Sequence, residues 1–252
     1  MSKVKTLKVI PVTREIMDIT SKESIKAAFK KYQPQLVVHL AAYTAVGMAE
    51  YERRLCYRTN VWGTEQIALR SPFLIYMSTE YVFDGEKGDY NEGSVPNPLH
   101  FYALTKLLGE FEAKKARKYC VIRALFKPRP YGYDRVQCDQ WTSGDYVDVM
   151  AKKIALAIKN YEKLPKILHI GTARKNLYQL ALQTVKKAVP IRRISLPVRL
   201  PRDTSLDTTL YEMMFERKDE GEIVTERDIE AVNRIKAGTT LKYAKKKNEN
   251  RH

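Results

Sequence analysis

The feature that most constrains the fold is a run of five apolar residues followed at once by two hydroxyl side chains. Phe73 to Met77 has the pattern of a short buried strand, and Ser78 and Thr79 stand directly after it. Strands of this kind alternate with helical patterns along the chain, which indicates a mostly parallel, doubly wound α/β sheet. Ligands bind such sheets at the carboxyl ends of the strands, so we expect Thr79 to face the site.

A helix predicted at residues 102–117 carries two side chains that suit proton transfer. Tyr102 and Lys106 are four residues apart, which places them on one helix face about one turn from each other. A free phenol has a pKa of about 10, and a nearby ammonium favours the phenolate, so the lysine would lower the pKa of a tyrosine general acid. The alternative is an exposed aromatic residue beside a solvated lysine, because any helical surface produces this spacing by chance.

Periodicity and turn residues predict the remaining elements. Further strands are expected at residues 7–13, 36–40, 120–125 and 166–170. A helix capped by Asp18 or Thr20 should end at Pro34, and a second should span residues 48–69 with an interruption near Gly63. Other helices are expected at residues 145–159, 177–189 and 226–235, the last within a charged, partly disordered extension at 216–252.

Five stretches resemble the extended short-chain dehydrogenase/reductase family. Within it, they are most similar to the dTDP-4-dehydrorhamnose reductases and the related regulatory subunit of methionine adenosyltransferase. The stretches are VVHLAAYTAVGMAE (37–50), TNVWGTE (59–65), STEYVFDG (78–85), NPLHFYALTKLLGE (97–110) and PRDTSLDTT (201–209), in the family's order. The resemblance implies a Rossmann-like domain at residues 1–215, with a small substrate-side cap formed by residues 84–100, 127–144 and 172–215.

The resemblance also implies a function, namely reduction of a 4-keto nucleotide sugar by NADPH or NADH. Thr79 would hydrogen-bond the substrate carbonyl while Tyr102, tuned by Lys106, protonates its oxygen. The residues expected to contact the cofactor are Asp18, Ile19, Ala41, Ala42, Tyr43, Asn60, Tyr102 and Lys106. The residues expected to contact the substrate are Ser78, Glu80, Val82, Phe83, Trp141 and Arg202.

Some of these residues also have structural interpretations. Asp18 is equally a helix cap, and Ala41 to Tyr43 equally an ordinary strand-to-loop connection. Asn60 is expected to tie the backbone near the site in either case. Trp141 is a candidate for stacking on a nucleotide base, and Arg202 for binding a phosphate bidentately.

The chain departs from the family pattern at its start. The resemblance begins at the family's second strand, and the glycine-rich turn that cradles the pyrophosphate is missing, since the first glycine is Gly47. Losing two or three charge-assisted backbone hydrogen bonds would weaken cofactor binding by about 3 to 9 kcal/mol. Residues 4–12, another subunit, or nothing could take the place of the missing strand. Glu80 and Gly47 also stand where aspartates are usual.

These departures leave a second hypothesis open, a catalytically inactive scaffold or regulatory subunit in a larger assembly. The net charge of +16 raises a third, association with nucleic acid, but no groove-reading motif supports it. No apolar run reaches membrane-spanning length and no signal-peptide pattern is present, so a cytoplasmic protein is expected, as a homo-oligomer or as part of a larger assembly. The three cysteines lack metal-ligand spacing and are expected to be buried thiols.

Overall fold

The computed structural model describes residues 7–216. The predicted helix at 226–235 and all but the first residue of the predicted extension therefore lie outside the described residues. Within residues 7–216, no helix has both the length and the apolar character needed to cross a lipid bilayer.

Strands and helices alternate from residue 22 to residue 123, and four short strands then come before the next helix. The strands are β1 (Val37–His39), β2 (Phe73–Met77), β3 (Lys118–Arg123), β4 (Phe126–Lys127), β5 (Arg135–Gln137), β6 (Trp141–Thr142), β7 (Asp145–Tyr146), β8 (Ile167–His169), β9 (Lys175–Asn176) and β10 (Val189–Ile191). The α-helices are α1 (Lys22–Tyr32), α2 (Arg53–Tyr57), α3 (Gly63–Ala68), α4 (Phe101–Ala113), α5 (Val147–Lys159), α6 (Leu177–Leu182) and α7 (Thr209–Phe215), and a π-helical segment, Arg58–Trp62, joins α2 to α3.

The main sheet has four parallel strands in the order β1-β2-β3-β8. All five residues of β2 are buried, because β2 is a central strand with helices packed on both of its faces. This arrangement explains why its sequence is continuously apolar instead of alternating. The predicted doubly wound parallel α/β sheet is confirmed.

The two faces of the sheet form separate apolar clusters. On one face, Ile25 of α1, Ile67 of α3 and Ala113 of α4 pack against Leu74. On the other face, helices α5 and α7 cover Ile75 and Ile122. Burying each large aliphatic side chain contributes about 1.5 to 3 kcal/mol relative to leaving it exposed, so these clusters hold the helices on the sheet.

Three two-stranded sheets lie beyond the carboxyl end of the main sheet. They pair β4 with β7, β5 with β10, and β6 with β9. Single bridges join Tyr90 to Leu206 and Trp141 to Asp203, which tie the loops after β2 and after β10 to this layer. The layer covers the edge where Thr79 emerges.

The predicted strand at residues 7–13 is wrong, since those residues form neither strand nor helix. Their side chains face solvent, with Val9 81% exposed, and Pro11 lacks the N–H that a strand ladder requires. Residues 7–12 do not fill the place beside β1. Within the described chain, β1 is therefore an edge strand that pairs only with β2.

Three helix predictions also needed correction. The cap of α1 is Ser21, whose hydroxyl accepts from Ser24 N at 3.2 Å, whereas Asp18 bonds Thr20. The predicted helix at 48–69 is divided into a short 3₁₀ turn, α2, the π segment and α3. The predicted helix at 177–189 ends at Leu182, because residues 189–191 pair instead with β5.

Gly109 allows α4 to approach β2 closely. A Cβ at this position would collide with the Tyr76 hydroxyl and lie 2.8 Å from the Asn60 carbonyl oxygen. We expect Gly109→Ala to lower the free energy of unfolding by about 1 to 3 kcal/mol through overpacking, despite the better helix propensity of alanine. Urea unfolding measures this change. Gly47→Ala is the control, since nothing lies within 4 Å of its added Cβ, and equal effects of the two variants would contradict the prediction.

Candidate active site

Side chains at four-residue intervals on α4 meet the end of β2. Lys106 Nζ donates to the Met77 carbonyl oxygen at 2.7 Å, and the Ser78 hydroxyl donates to Glu110 Oε1 at 2.6 Å. One residue further on, the Thr79 side chain is close enough to Tyr102 to lower the pKa of its phenol. The structure therefore brings Thr79, Tyr102 and Lys106 together, as the sequence predicted.

Burial determines the protonation of Tyr102. The side chain is 9% exposed, and desolvation raises the pKa of its phenol well above 10, while the Thr79 side chain opposes this shift. Lys106 is not among the groups that shift this pKa. The structure does not show the expected lowering by Lys106, whose ammonium donates to the Met77 carbonyl oxygen. Tyr102 is a protonated phenol at neutral pH.

Lys106 is a buried cation beneath the site. Desolvation lowers the pKa of its ammonium to about 7, and the Glu110 carboxylate and Cys56 oppose this shift. Nζ lies 4.3 Å from the centre of the Tyr76 ring, which adds a cation–π contact. Met77 O accepts one of its three N–H groups, and no second hydrogen-bond acceptor contacts it among residues 7–216.

Asn60 holds the loop after β1 against α4. Tyr43 N donates to Asn60 Oδ1 at 2.7 Å, while Asn60 Nδ2 donates to Tyr43 O at 3.1 Å and to Thr105 Oγ1 at 3.0 Å. Thr105 Oγ1 in turn donates to the Tyr102 carbonyl at 2.7 Å. Asn60 lies in the π-helical segment, a distortion that is frequent at functional sites. It ties backbone near the site, as expected.

His100 is a residue that the sequence reasoning missed. It caps α4 by accepting from Ala103 N at Nδ1, so its proton is on Nε2, which is buried and has no partner within residues 7–216. Its ring is stacked on Tyr102 with centroids 6.0 Å apart. Burial lowers the pKa of its imidazolium to about 4, so it is neutral at neutral pH. Histidine is not among the favoured caps, and no periodicity marks it.

Glu80, the residue after Thr79, has a fully buried carboxyl group. Its Oε1 accepts from Thr204 at 2.6 Å, and its Oε2 has no hydrogen-bond partner in the described chain. Desolvation raises the pKa of this carboxyl to about 7, and Thr204 opposes the shift. Gln140 lies nearby in the same layer: its Nε2 donates to Tyr81 Oη at 3.1 Å, and its Oε1 is likewise unpartnered among residues 7–216.

The expected cofactor residues divide into two groups. Ala41, Ala42 and Tyr43 form the loop just after β1, where Ala41 is exposed and Tyr43 is half-buried. Asn60 holds this loop through its bond to Tyr43 N. Asp18 bonds Thr20 through its carboxylate, and the Ile19 side chain is buried in the core cluster under α1 and α3. The side chain of Ile19 is therefore occupied by protein contacts.

The expected substrate residues are also distributed unevenly. Ser78 is buried and bound to Glu110, and Val82 and Phe83 are fully buried, with Phe83 stacked on Tyr90 at 4.2 Å. A ligand does not reach these three side chains without displacing protein contacts, so we leave them out of the substrate contacts proposed below.

Trp141 and Arg202 are neighbours, because Trp141 N donates to Arg202 O at 2.7 Å. Arg202 is exposed. The Arg174 guanidinium lies 3.9 Å from the Trp141 ring centre and is itself held by Asp203, so one face of the indole is already stacked.

A family model described as the RmlD substrate binding domain matches residues 1–154. Methionine adenosyltransferase 2 subunit beta of Xenopus tropicalis is 36% identical over 100 residues, which cover 38% of this chain and 30% of that protein. A dTDP-4-dehydrorhamnose reductase of Aggregatibacter actinomycetemcomitans is 30% identical over 153 residues, which cover 59% of this chain and 47% of that protein. The chain spans less than half the length of these curated relatives.

Solved structures share the fold. A dTDP-4-dehydrorhamnose reductase ortholog from Clostridium acetobutylicum superposes with a TM-score of 0.74 at 24% identity, covering 84% of this chain and 85% of that chain. The dTDP-4-dehydrorhamnose reductase of Bacillus anthracis in complex with NADP gives a TM-score of 0.71 at 24% identity, covering 81% of this chain and 83% of that chain. The resemblance read from the sequence motifs is confirmed.

The raised pKa of Glu80 has a consequence for stability. Its carboxyl titrates near 7 in the folded chain against an ordinary value of 4.5, so the folded state keeps a proton that the unfolded state releases. The free energy of unfolding should therefore fall as pH rises from about 4.5 to about 7, by up to about 3 kcal/mol. The variant Glu80→Gln has no carboxyl group at this position, so its free energy of unfolding should not show this decrease. Urea unfolding across that window tests the difference, with the exposed Glu86→Gln as control; parallel curves for wild type and Glu80→Gln would contradict it.

Proposed function

The chain belongs to the RmlD substrate-binding domain family, and on that premise we propose that it reduces a 4-keto nucleotide sugar with NADPH or NADH, using Tyr102 as the general acid. The observation that carries the proposal is that Thr79, Tyr102 and Lys106 are all buried at the carboxyl end of β2, with Lys106 bonded to Met77 and Thr79 acting on the pKa of Tyr102. The relatives named as reductases support the substrate class.

The residues present fit the nicotinamide end of such a cofactor. Lys106 keeps N–H groups that can donate to ribose hydroxyls, and the small exposed Ala41 leaves room for a flat ring after β1. For the pyrophosphate end the fit is poorer, since no strand among residues 7–216 leads into a helix through a glycine-rich turn. Asp18, Ala42 and Tyr43 remain proposed contacts of the cofactor.

The bound dinucleotide would supply a hydride to the carbonyl carbon of the sugar. The Thr79 hydroxyl hydrogen-bonds the carbonyl oxygen and fixes its position beside the phenol. Tyr102 Oη transfers its proton to that oxygen, which completes the alcohol and leaves a phenolate. The Lys106 ammonium, one helical turn away, stabilises this developing negative charge. The pKa of Tyr102 is therefore high in the resting chain and falls during the proton transfer.

Glu80 and residues of the cap are the groups proposed to hold the sugar nucleotide. Glu80 Oε2, Gln140 Oε1 and His100 Nε2 are buried polar atoms without partners in the described chain. Leaving such atoms unsatisfied costs about 1 to 3 kcal/mol each, and sugar hydroxyls would satisfy them. Arg202 is proposed to meet the diphosphate, and Trp141 to contact the base with the indole face that Arg174 leaves free.

We expect Tyr102→Phe to lower the rate of sugar-dependent NADPH oxidation by about 10²- to 10⁴-fold, because it removes the proton donor and preserves the ring. Steady-state absorbance measurements on purified protein test this. Tyr119→Phe, on β3 away from the site, is the matched control and should retain full turnover. An unchanged rate in Tyr102→Phe would sink the proposed role.

A second candidate function is that of a non-catalytic regulatory subunit. The likeness to the beta subunit of methionine adenosyltransferase favours it, as does the poorer fit at the pyrophosphate end. This reading needs the fold and a partner chain but no proton donor.

Calorimetric titration with NADPH and NADH separates the two functions. Micromolar binding that Lys106→Ala weakens is expected for the reductase, because Lys106 would donate to the ribose. The control variant is Lys152→Ala, an exposed lysine on α5. An absence of heat up to millimolar cofactor would favour the regulatory subunit, and co-purification with a partner chain would then be the next measurement.

A further inference from the structure

A buried ion pair lies directly behind Lys106. Arg123 on β3 donates from Nε to Glu110 Oε1 at 2.9 Å and from its terminal nitrogen to Oε2 at 2.7 Å, and Ser78 also donates to Oε1. Glu110 is 4% exposed and Arg123 2% exposed. A buried pair of this kind contributes little net stability, because desolvating two charges offsets their attraction. Its position therefore suggests another role.

The pair is linked to Lys106 by geometry. Lys106 and Glu110 are one helical turn apart on α4, and they bind the consecutive residues Met77 and Ser78 at the end of β2. The same two contacts fix the direction from which Thr79 leaves the strand. The helix and the strand are thus joined at Met77, the last residue of β2, and at Ser78 directly after it.

The other groups facing Lys106 are either neutral or weakly charged. His39 on β1 has its pKa lowered to about 3, first by burial and then by Lys106, so it is neutral. Burial raises the pKa values of Tyr76 on β2 and Cys56 on α2, so both are protonated at neutral pH, as is Tyr102 on Lys106's own helix. Glu110 is the anion that acts on Lys106, and Arg123 is the cation bonded to Glu110.

We propose that Glu110, held by Arg123 and Ser78, is a positioning residue that keeps Lys106 charged and aligned beneath Tyr102. Its significance for catalysis rests on the proposed function, whereas its effect on Lys106 is a property of the folded chain. Removing the negative charge should favour neutral Lys106, and removing the positive charge of Arg123 should favour the ammonium. A purely structural role does not predict that the two changes shift the titration midpoint of Lys106 in opposite directions.

The test is a pH titration of Lys106 in the full chain labelled with ¹³C at lysine Cε, with the signal assigned by its loss in Lys106→Met. In the wild type we expect a midpoint near neutrality, in line with the pKa of about 7. Glu110→Gln keeps a hydrogen-bonding amide and should move the midpoint down by about one pH unit. Glu112→Gln, a surface carboxylate of the same helix paired with Lys115, should leave the midpoint unchanged.

Arg123→Met should move the Lys106 midpoint up, because it removes the positive charge. If this single variant does not fold, the double variant Glu110→Gln with Arg123→Met replaces it in the test. It removes both charges, so the midpoint should return toward the wild-type value. Midpoints that stay unchanged in Glu110→Gln, or that fall further in the double variant, would overturn the proposal. Because this measurement needs no turnover, it is independent of whether the chain reduces a sugar.

In the active enzyme the same change should appear in the pH profile. The rate falls as pH rises through the Lys106 midpoint, so Glu110→Gln should lose activity at lower pH than the wild type while regaining nearly the full rate on the acid side. A uniform loss at every pH would indicate a structural role and contradict the proposal. Loss of turnover in Tyr102→Phe without any effect of Glu110→Gln would leave the proposed function standing and remove only this inference.

Discussion

The contact between α4 and the carboxyl end of β2 is the interaction on which the rest of the site depends. It combines a close approach at Gly109 with hydrogen bonds from Lys106 to Met77 and from Ser78 to Glu110. A helix that sits one side chain further from the sheet could not make these bonds. The distance between two backbone segments therefore decides whether the threonine after β2 lies beside the tyrosine and lysine of α4.

Desolvation is the second constraint, and it acts in opposite directions on acids and bases. The same burial raises the pKa values of Tyr102 and Glu80 and lowers those of Lys106 and His39. The site is consequently poor in formal charge, with a neutral phenol, a neutral imidazole and a lysine near its titration midpoint. In such surroundings each remaining charge acts strongly, because little solvent screens it. This is why the Glu110–Arg123 pair matters more for Lys106 than an exposed pair would.

The two functions considered for the chain use the same fold in different ways. A reductase needs the polar atoms of the cap and the proton donor, whereas a regulatory subunit needs only surfaces. The unsatisfied buried atoms of Glu80, Gln140 and His100 favour a ligand, since Glu80 directly follows Thr79 and the His100 ring stacks on Tyr102. The poor match to a pyrophosphate site argues in the other direction. Both observations concern the same edge of the sheet. Whether a cofactor and a sugar nucleotide bind at that edge is what separates the two functions.

The sequence by itself determined the local features. Strand β2 has the predicted bounds, α4 begins one residue before the predicted position, and the spacing of Tyr102 and Lys106 placed them on one face, because periodicity and turn residues act over a few neighbours. Only the tertiary structure decided the rest. Residues 7–13 have an apolar, strand-like pattern and yet form no strand, because a strand needs a neighbour that no local pattern supplies. Tertiary contacts and burial also explain the bond of Ser78 to Glu110, the stacking of His100 on Tyr102 and the high pKa of Tyr102. These features depend on how the whole chain packs, which no local pattern shows.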